Sequence, residues 1–400
     1  MAAETADEVV VHVDSIAVGG AGVGRDASGR VVFVEGGLPG EDVRARIEQA
    51  KPRHATAVAV EVLQAAATRV GPVCPHVARG CGGCGWAHVD VDAQRTLKVD
   101  IVEQALRRIG RLDDPVVRAG EPLPEGGHRT TLRAAVVDGR AAFRRAHGHD
   151  RVVVDSCRVA HPLVEEVLVE GRFGAADEVV VRASAATGER MVVVTPSAGA
   201  EVVVPPDVVV VGADELRGGR RAWFREEVAG VSFRVSAESF FQSRPDGAAA
   251  LVAEVDRALV DAPAGASLAD LYCGVGLFGA TVGAGRHVVA VERSRSSVTD
   301  ARHNLAAAEA KVIRVAVEKW RPSPVEVVVA DPARHGLARA GVGAVSATGA
   351  CHLALVSCDA GALGRDAGLL HAAGWRHDGS VVVDMFPDTP HVEVVTRFVR

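Results

Sequence analysis

The residues of this chain able to do chemistry fall into two groups. Cys74, Cys81 and Cys84 form a C-x6-C-x2-C cluster, and Cys157 follows far downstream in DSCRVAHP. Four thiolates suit either zinc or an iron–sulfur cluster, since both are held by sets of soft sulfur donors. The seven cysteines are an odd number and three are crowded together, which argues against a secreted disulfide framework and for metal binding in a reducing compartment.

The second group sits at the ends of predicted strands. LADLYCGVGLFG, from Leu268 to Gly279, reads as a strand running into a glycine-rich turn that opens a helix. Gly274 and Gly276 let the backbone approach a ligand closely. Glu292 closes the next strand, 22 residues after Asp270, where a carboxylate accepts hydrogen bonds from a ribose diol. The full three-glycine dinucleotide fingerprint is missing, so a pocket for S-adenosylmethionine fits better than one for NAD. Three further strands end in polar residues: VVVADPARHG at Asp331, HLALVSCD at Cys358, and VVVDMFPDTPHVE, which leads to Glu393. Taken alone, Cys358 reads equally as a small buried apolar residue, and Glu393 as a surface charge.

The elements around these residues imply a multidomain chain. Short β-rich runs with glycine turns over Val9–Leu63 predict a small OB-like barrel, assigned residues 1–66. The glycines from Gly19 to Gly24 precede a strand, so they form a turn; a phosphate loop would open a helix. Residues 67–238 are expected to form a β-rich central domain carrying the cysteines. Leu97, Ile101, Val102, Ala105, Leu106 and Ile109 predict a helix over 94–110 that packs on the catalytic domain. Residues 239–400 alternate helix and strand, the pattern of a Rossmann-like α/β sheet.

Composition narrows the class further. With 48% hydrophobic, 24% charged and 4% aromatic residues the chain is globular, which excludes collagenous, coiled-coil and disordered classes. No apolar run reaches the roughly 18 residues of a membrane span, and Met1–Glu8 lacks the features of a signal peptide. A cytoplasmic protein with no membrane partner, and a monomer, is expected. The net charge of -6 supplies no global attraction for nucleic acid, so RNA binding requires a local patch. Residues 129–158 provide one, with seven arginines (Arg129, Arg133, Arg140, Arg144, Arg145, Arg151 and Arg158) against three aspartates. The barrel adds Arg25, Arg30, Arg44, Arg46 and Arg53.

SFFQ (Ser239–Gln242), DLYCGVG, DPARHG, LVSCD and MFPDTPHVE occur in the order and approximate spacing of the RNA uracil-5-methyltransferases. Over nearly its whole length the chain resembles the bacterial members that carry an N-terminal TRAM domain and make 5-methyluridine in ribosomal RNA. The resemblance implies Cys358 as nucleophile and Glu393 as general base. It implies a cofactor pocket lined by Gln242, Tyr272, Glu292 and Asp331, and a 4Fe-4S cluster on Cys74, Cys81, Cys84 and Cys157, with zinc as the alternative. It favours ribosomal over transfer RNA; a non-catalytic RNA-binding protein retaining the fold is a further alternative.

The chemistry of uracil demands the same residue types. Carbon 5 is a poor nucleophile until a thiolate adds at carbon 6, and the proton left on carbon 5 after methylation needs a positioned base. The uracil must also leave any stack to be reached. The chain departs from the family where Asn-Pro usually follows the cysteine: Asp359-Ala360 stands there. Leu277, and Ala316 or a neighbour, replace polar residues expected near the cofactor.

Overall fold

The computed structural model describes residues 8–146, 148, 150–199 and 201–400. The strands Glu8–Ile16, Gly22–Arg25, Val31–Glu35, Asp42–Ala50 and His54–Gln64 close into a barrel. Alternation of side chains along each strand turns Val11, Val13, Val32, Val34 and Val43 inward to form its core. Gly19 and Gly20 fall in the turn before Gly22–Arg25. At the barrel rim the buried Glu41 carboxylate accepts hydrogen bonds from Leu38 N (2.9 Å), Ala66 N (3.2 Å) and Arg69 Nε (2.6 Å). This pins the barrel to the segment that leaves it.

A six-stranded sheet follows, ordered Val208–Gly212, Arg190–Thr195, Glu178–Ala183, Thr131–Val137, Arg140–Arg144, Arg151–Val153. The helix Pro162–Glu170 covers it through Val164, Val167 and Leu168. The cysteine loop is stitched to the end of the strand Arg140–Arg144, where Gly82 N donates to Arg144 O (3.0 Å) and Ala146 N to Gly80 O (3.0 Å).

The largest element is an eight-stranded sheet, ordered Ala310–Arg314, Val288–Glu292, Leu268–Leu271, Val327–Ala330, His352–Ser357, Val394–Val399, Arg376–Val382, Val117–Ala119. Its central strands are buried on both faces, as in Leu268–Leu271 and Val327–Ala330, because packed layers cover both sides. Val394–Val399 runs antiparallel between two strands of opposite direction, and this inversion matters for the site.

Three parts of the 67–238 segment pack on this sheet, the third of them touching the six-stranded sheet as well. The helix predicted over 94–110 spans Val91–Arg108, starting earlier because the Asp90 side chain caps Asp92 N and Ala93 N. It crosses the helix Ala360–Ala372 so closely that a Cβ on Gly364 would stand 2.5 Å from Ala105 O. The strand Val117–Ala119 completes one sheet edge. The hairpin Trp223–Val228/Val231–Ser236 buries Phe224, Phe233 and Val235 in the same core as Leu251 and Val255 of the helix Pro245–Ala258. Chain order and packing therefore diverge here: a boundary at 238 separates residues that share one core.

Candidate functional site

Strand register assembles the site. Leu271 pairs with Val291 on one side and Ala330 on the other, so the next residues, Tyr272, Glu292 and Asp331, end level with one another. Hydrogen bonds from Cys273 N to Val291 O (3.1 Å) and Asp331 N to Leu271 O (3.2 Å) carry that alignment past the strands. On the neighbouring strand Ser357 pairs with Val394 of its antiparallel partner, which makes Cys358 and Glu393 the next step of the same register. An antiparallel strand begins where its parallel neighbours end, so a residue preceding Val394 joins residues that follow the other strands. The chain order reverses between Leu268–Leu271 and Val327–Ala330, the switch point at which open sheets bind ligands.

A cavity of about 660 Å³ opens at this end, lined by Gln242, Tyr272, Gly274, Glu292, Asp331, Cys358 and Glu393. The turn into it is held by carboxylates: Asp270 Oδ2 accepts from Gly279 N (2.8 Å), and Glu292 accepts from Gly274 N (3.2 Å) and Ser294 N (2.6 Å). Gly276 does not line the cavity. It stands at φ +92, packed against Leu305 and Ala301, and turns the chain into the helix Leu277–Ala280.

The site is rich in buried acid. Burial pushes Asp331 up to about 7, and it pushes Asp270 up to about 7 against the opposing Gly279 bond. Glu393 is raised well above the usual carboxylate range, by burial first and then by the charge of Asp331. The Cys358 thiol is pushed up to about 12 by burial, Glu393 and Asp331, with Arg334 acting the other way. Burial and mutual repulsion therefore disfavour the charged forms of these groups, and a positive charge entering the cavity favours them.

The departures noted in the sequence have clear placements. Asp359 is the N-cap of Ala360–Ala372 and accepts from Ala362 N (2.7 Å), so this acid closes the loop after Cys358 as an asparagine would. Leu277 and Ala316 both line the cavity and give it an apolar wall.

Several residues here have no motif to announce them. Glu318 Oε1 accepts a hydrogen bond from Tyr272 Oη (2.9 Å). Lys98, fully buried, donates to Asp384 Oδ1 (2.6 Å) and Phe386 O (2.8 Å), while Gln94 one turn earlier exchanges bonds with Asp388 (Asp388 N to Gln94 Oε1, 2.7 Å). The helix Val91–Arg108 thus grips the loop leading to Glu393. The only local hint is a polar pair at i and i+4 within an otherwise apolar face.

Cys74, Cys81, Cys84 and Cys157 line a second, larger cavity of about 1290 Å³, which shares Arg129, Phe240 and His391 with the first. Cys84 is pushed up to about 12 by burial and by the negative charge of Asp388 and the other three thiols. Trp86 N donates to Asp388 O (2.8 Å), so the cysteine loop touches the loop that ends at Glu393. Among the described residues no three His, Cys, Asp or Glu side chains are gathered closely enough to hold a metal ion.

A doubly wound sheet with a cavity of nucleoside size at its switch point, joined to a small barrel, has the architecture of a nucleoside-binding enzyme with an appended nucleic-acid-type module. Residues 4–60 match the TRAM domain model. The chain is 36% identical over 423 residues to an uncharacterized RNA methyltransferase of Streptomyces avermitilis, covering 97% of each chain. It is 37% identical over 427 residues to one from Streptomyces coelicolor, covering 97% of this chain and 92% of that protein. In fold it is similar to the Pyrococcus abyssi tRNA (uracil-54, C5)-methyltransferase, solved with S-adenosyl-L-homocysteine (TM-score 0.70, 23% identity, 97% of this chain and 100% of that one). The chain belongs to the RNA methyltransferase family of these relatives. No helix among the described residues is long and apolar enough to cross a membrane.

Proposed function

We propose that this protein transfers a methyl group from S-adenosylmethionine to carbon 5 of a uridine in ribosomal RNA. Cys358 is the nucleophile that adds to carbon 6, and Glu393 is the base that removes the carbon 5 proton. The observation that carries this reading is the register that makes Cys358 and Glu393 cross-strand neighbours on the cavity that Asp331, Tyr272 and Glu292 also line. Glu292 fits the ribose of the methyl donor, and Gln242, Tyr272, Gly274 and Asp331 border the same space. S-adenosylmethionine supplies an electrophilic methyl on a sulfonium cation. That cation answers the acid cluster: it favours thiolate at Cys358 and carboxylate at Glu393, the charged forms that burial disfavours.

Four cysteines line one cavity with their thiols within electrostatic reach of one another, a donor set that supports them as the ligands of a 4Fe-4S cluster, although their side chains as placed are not drawn together around one metal position. Cys157 would then tie the six-stranded sheet to the Cys74–Cys84 loop. A transfer-RNA uridine is the second reading, favoured by the substrate named for the Pyrococcus abyssi protein. Mass-spectrometric mapping of 5-methyluridine in ribosomal and transfer RNA, with and without the gene, tests both. Loss of one ribosomal site is the expected result; loss only in transfer RNA selects the second reading, and no change in either refutes the activity.

A further inference from the structure

The hairpin Trp223–Val228/Val231–Ser236 buries one face in the catalytic core and presents the other to solvent. On that outer face Trp223 is 39% exposed, with the guanidinium carbons of Arg225 and Arg234 at 5.1 and 5.2 Å from its ring centroid. Arg225 and Arg234 are direct cross-strand partners. Like charges at that position destabilise a hairpin, so the arrangement invites an anion. Arg234 reaches the buried Asp300 at 3.3 Å, but that carboxylate already accepts from Ser236 N (2.8 Å) and Ser239 Oγ (2.6 Å). Among the described residues neither Arg225 nor Arg221 forms an ion pair, and Arg217–Arg225 holds four arginines and no acid. Glu227 at the far end of the face is the one acid that the hairpin exposes there.

The face adjoins the cleft. Ala237 N donates to Ala222 O (2.9 Å), and Ala237, Arg217 and the 71% exposed Phe240 line the larger cavity. We propose that this hairpin face binds single-stranded RNA outside the reaction cavity, with a base stacked on the Trp223–arginine platform and phosphates held by Arg221 and Arg225. Guanidinium planes and indole rings both stack on bases, and forked guanidinium donors match phosphate geometry. The proposal rests on RNA being the substrate. It adds a contact that lies outside both the 129–158 arginine patch and the barrel.

The test uses full-length protein and a fluorescein-labelled oligouridine of roughly 20 nucleotides, read by anisotropy over a salt series. Trp223→Ala should weaken binding roughly 5- to 150-fold, the loss of one stacked base. Arg221→Gln/Arg225→Gln should lower the slope of log affinity against log salt by about 1.4, two phosphate contacts on a single strand. Binding of S-adenosylhomocysteine should be unchanged in both. A second readout needs no mutation: the other three tryptophans (Trp86, Trp320 and Trp375) are buried, so iodide quenching reports Trp223, and RNA should protect it. If the wild type binds RNA while quenching, affinity and salt slope all stay unchanged, the hairpin proposal is overturned and the RNA reading stands. If the wild type binds no RNA at any salt, both fall.

Discussion

Lys98→Met is the perturbation that most directly tests how the loop leading to Glu393 is held. The Lys98 side chain has no exposure and that of Asp384 only 8%, and their contact is 2.6 Å. Methionine keeps the length of the side chain but leaves the Asp384 carboxylate and the Phe386 carbonyl without that donor. Breaking a buried pair from one side costs about 3–5 kcal/mol, because an uncompensated charge stays behind. Arg95 Nε lies 3.8 Å from Asp384 Oδ2 and can take over part of the role, so the lower end, about 3 kcal/mol, applies. For a domain of this size that corresponds to a melting temperature lower by roughly 6–12 °C. Because the loop continues to His391 and Glu393, methyl transfer well below the transition should fall by about 10²-fold, the scale of an ångström-level misplacement. Removing the orphaned charge as well, in Lys98→Met/Asp384→Leu, should recover most of the stability and little of the activity. A single variant melting within about 2 °C of wild type, or a double variant no more stable than the single, would refute the clamp.

Glu393→Gln should trap a methylated, denaturant-resistant protein–RNA adduct that vanishes when Cys358→Ala is added, while S-adenosylhomocysteine binding survives in both; turnover at the native rate excludes Glu393 as base. Asp331→Asn removes the charge that helps raise Glu393, so the acidic limb of the rate profile should move to lower pH even as the rate itself falls; an unmoved or higher limb counts against that coupling. Anaerobically purified protein should be brown and hold about four irons, lost on Cys84→Ser, with zinc and no iron as the contrary result.

The sequence alone was enough to read the α/β class of the last segment, the barrel and the residues at strand ends. Apolar runs such as VVVA and LALVS, each ended by a polar residue, are local signals, and strands in a covered parallel sheet carry them openly. Local reading could not show that Cys358 and Glu393 meet, because that depends on an antiparallel strand inserted into a parallel sheet and on a register set by long-range pairing. It also could not choose between a buried thiol and a nucleophile, since the difference lies in what surrounds Cys358. The helix Val91–Arg108 and the Trp223 hairpin precede residue 239 in the chain yet pack in the catalytic cores, as burial decides and chain order does not. Nothing local to Lys98 in the sequence marks it as buried; only the tertiary structure, by closing a loop from almost 300 residues downstream over it, turns it into a buried cation that needs Asp384.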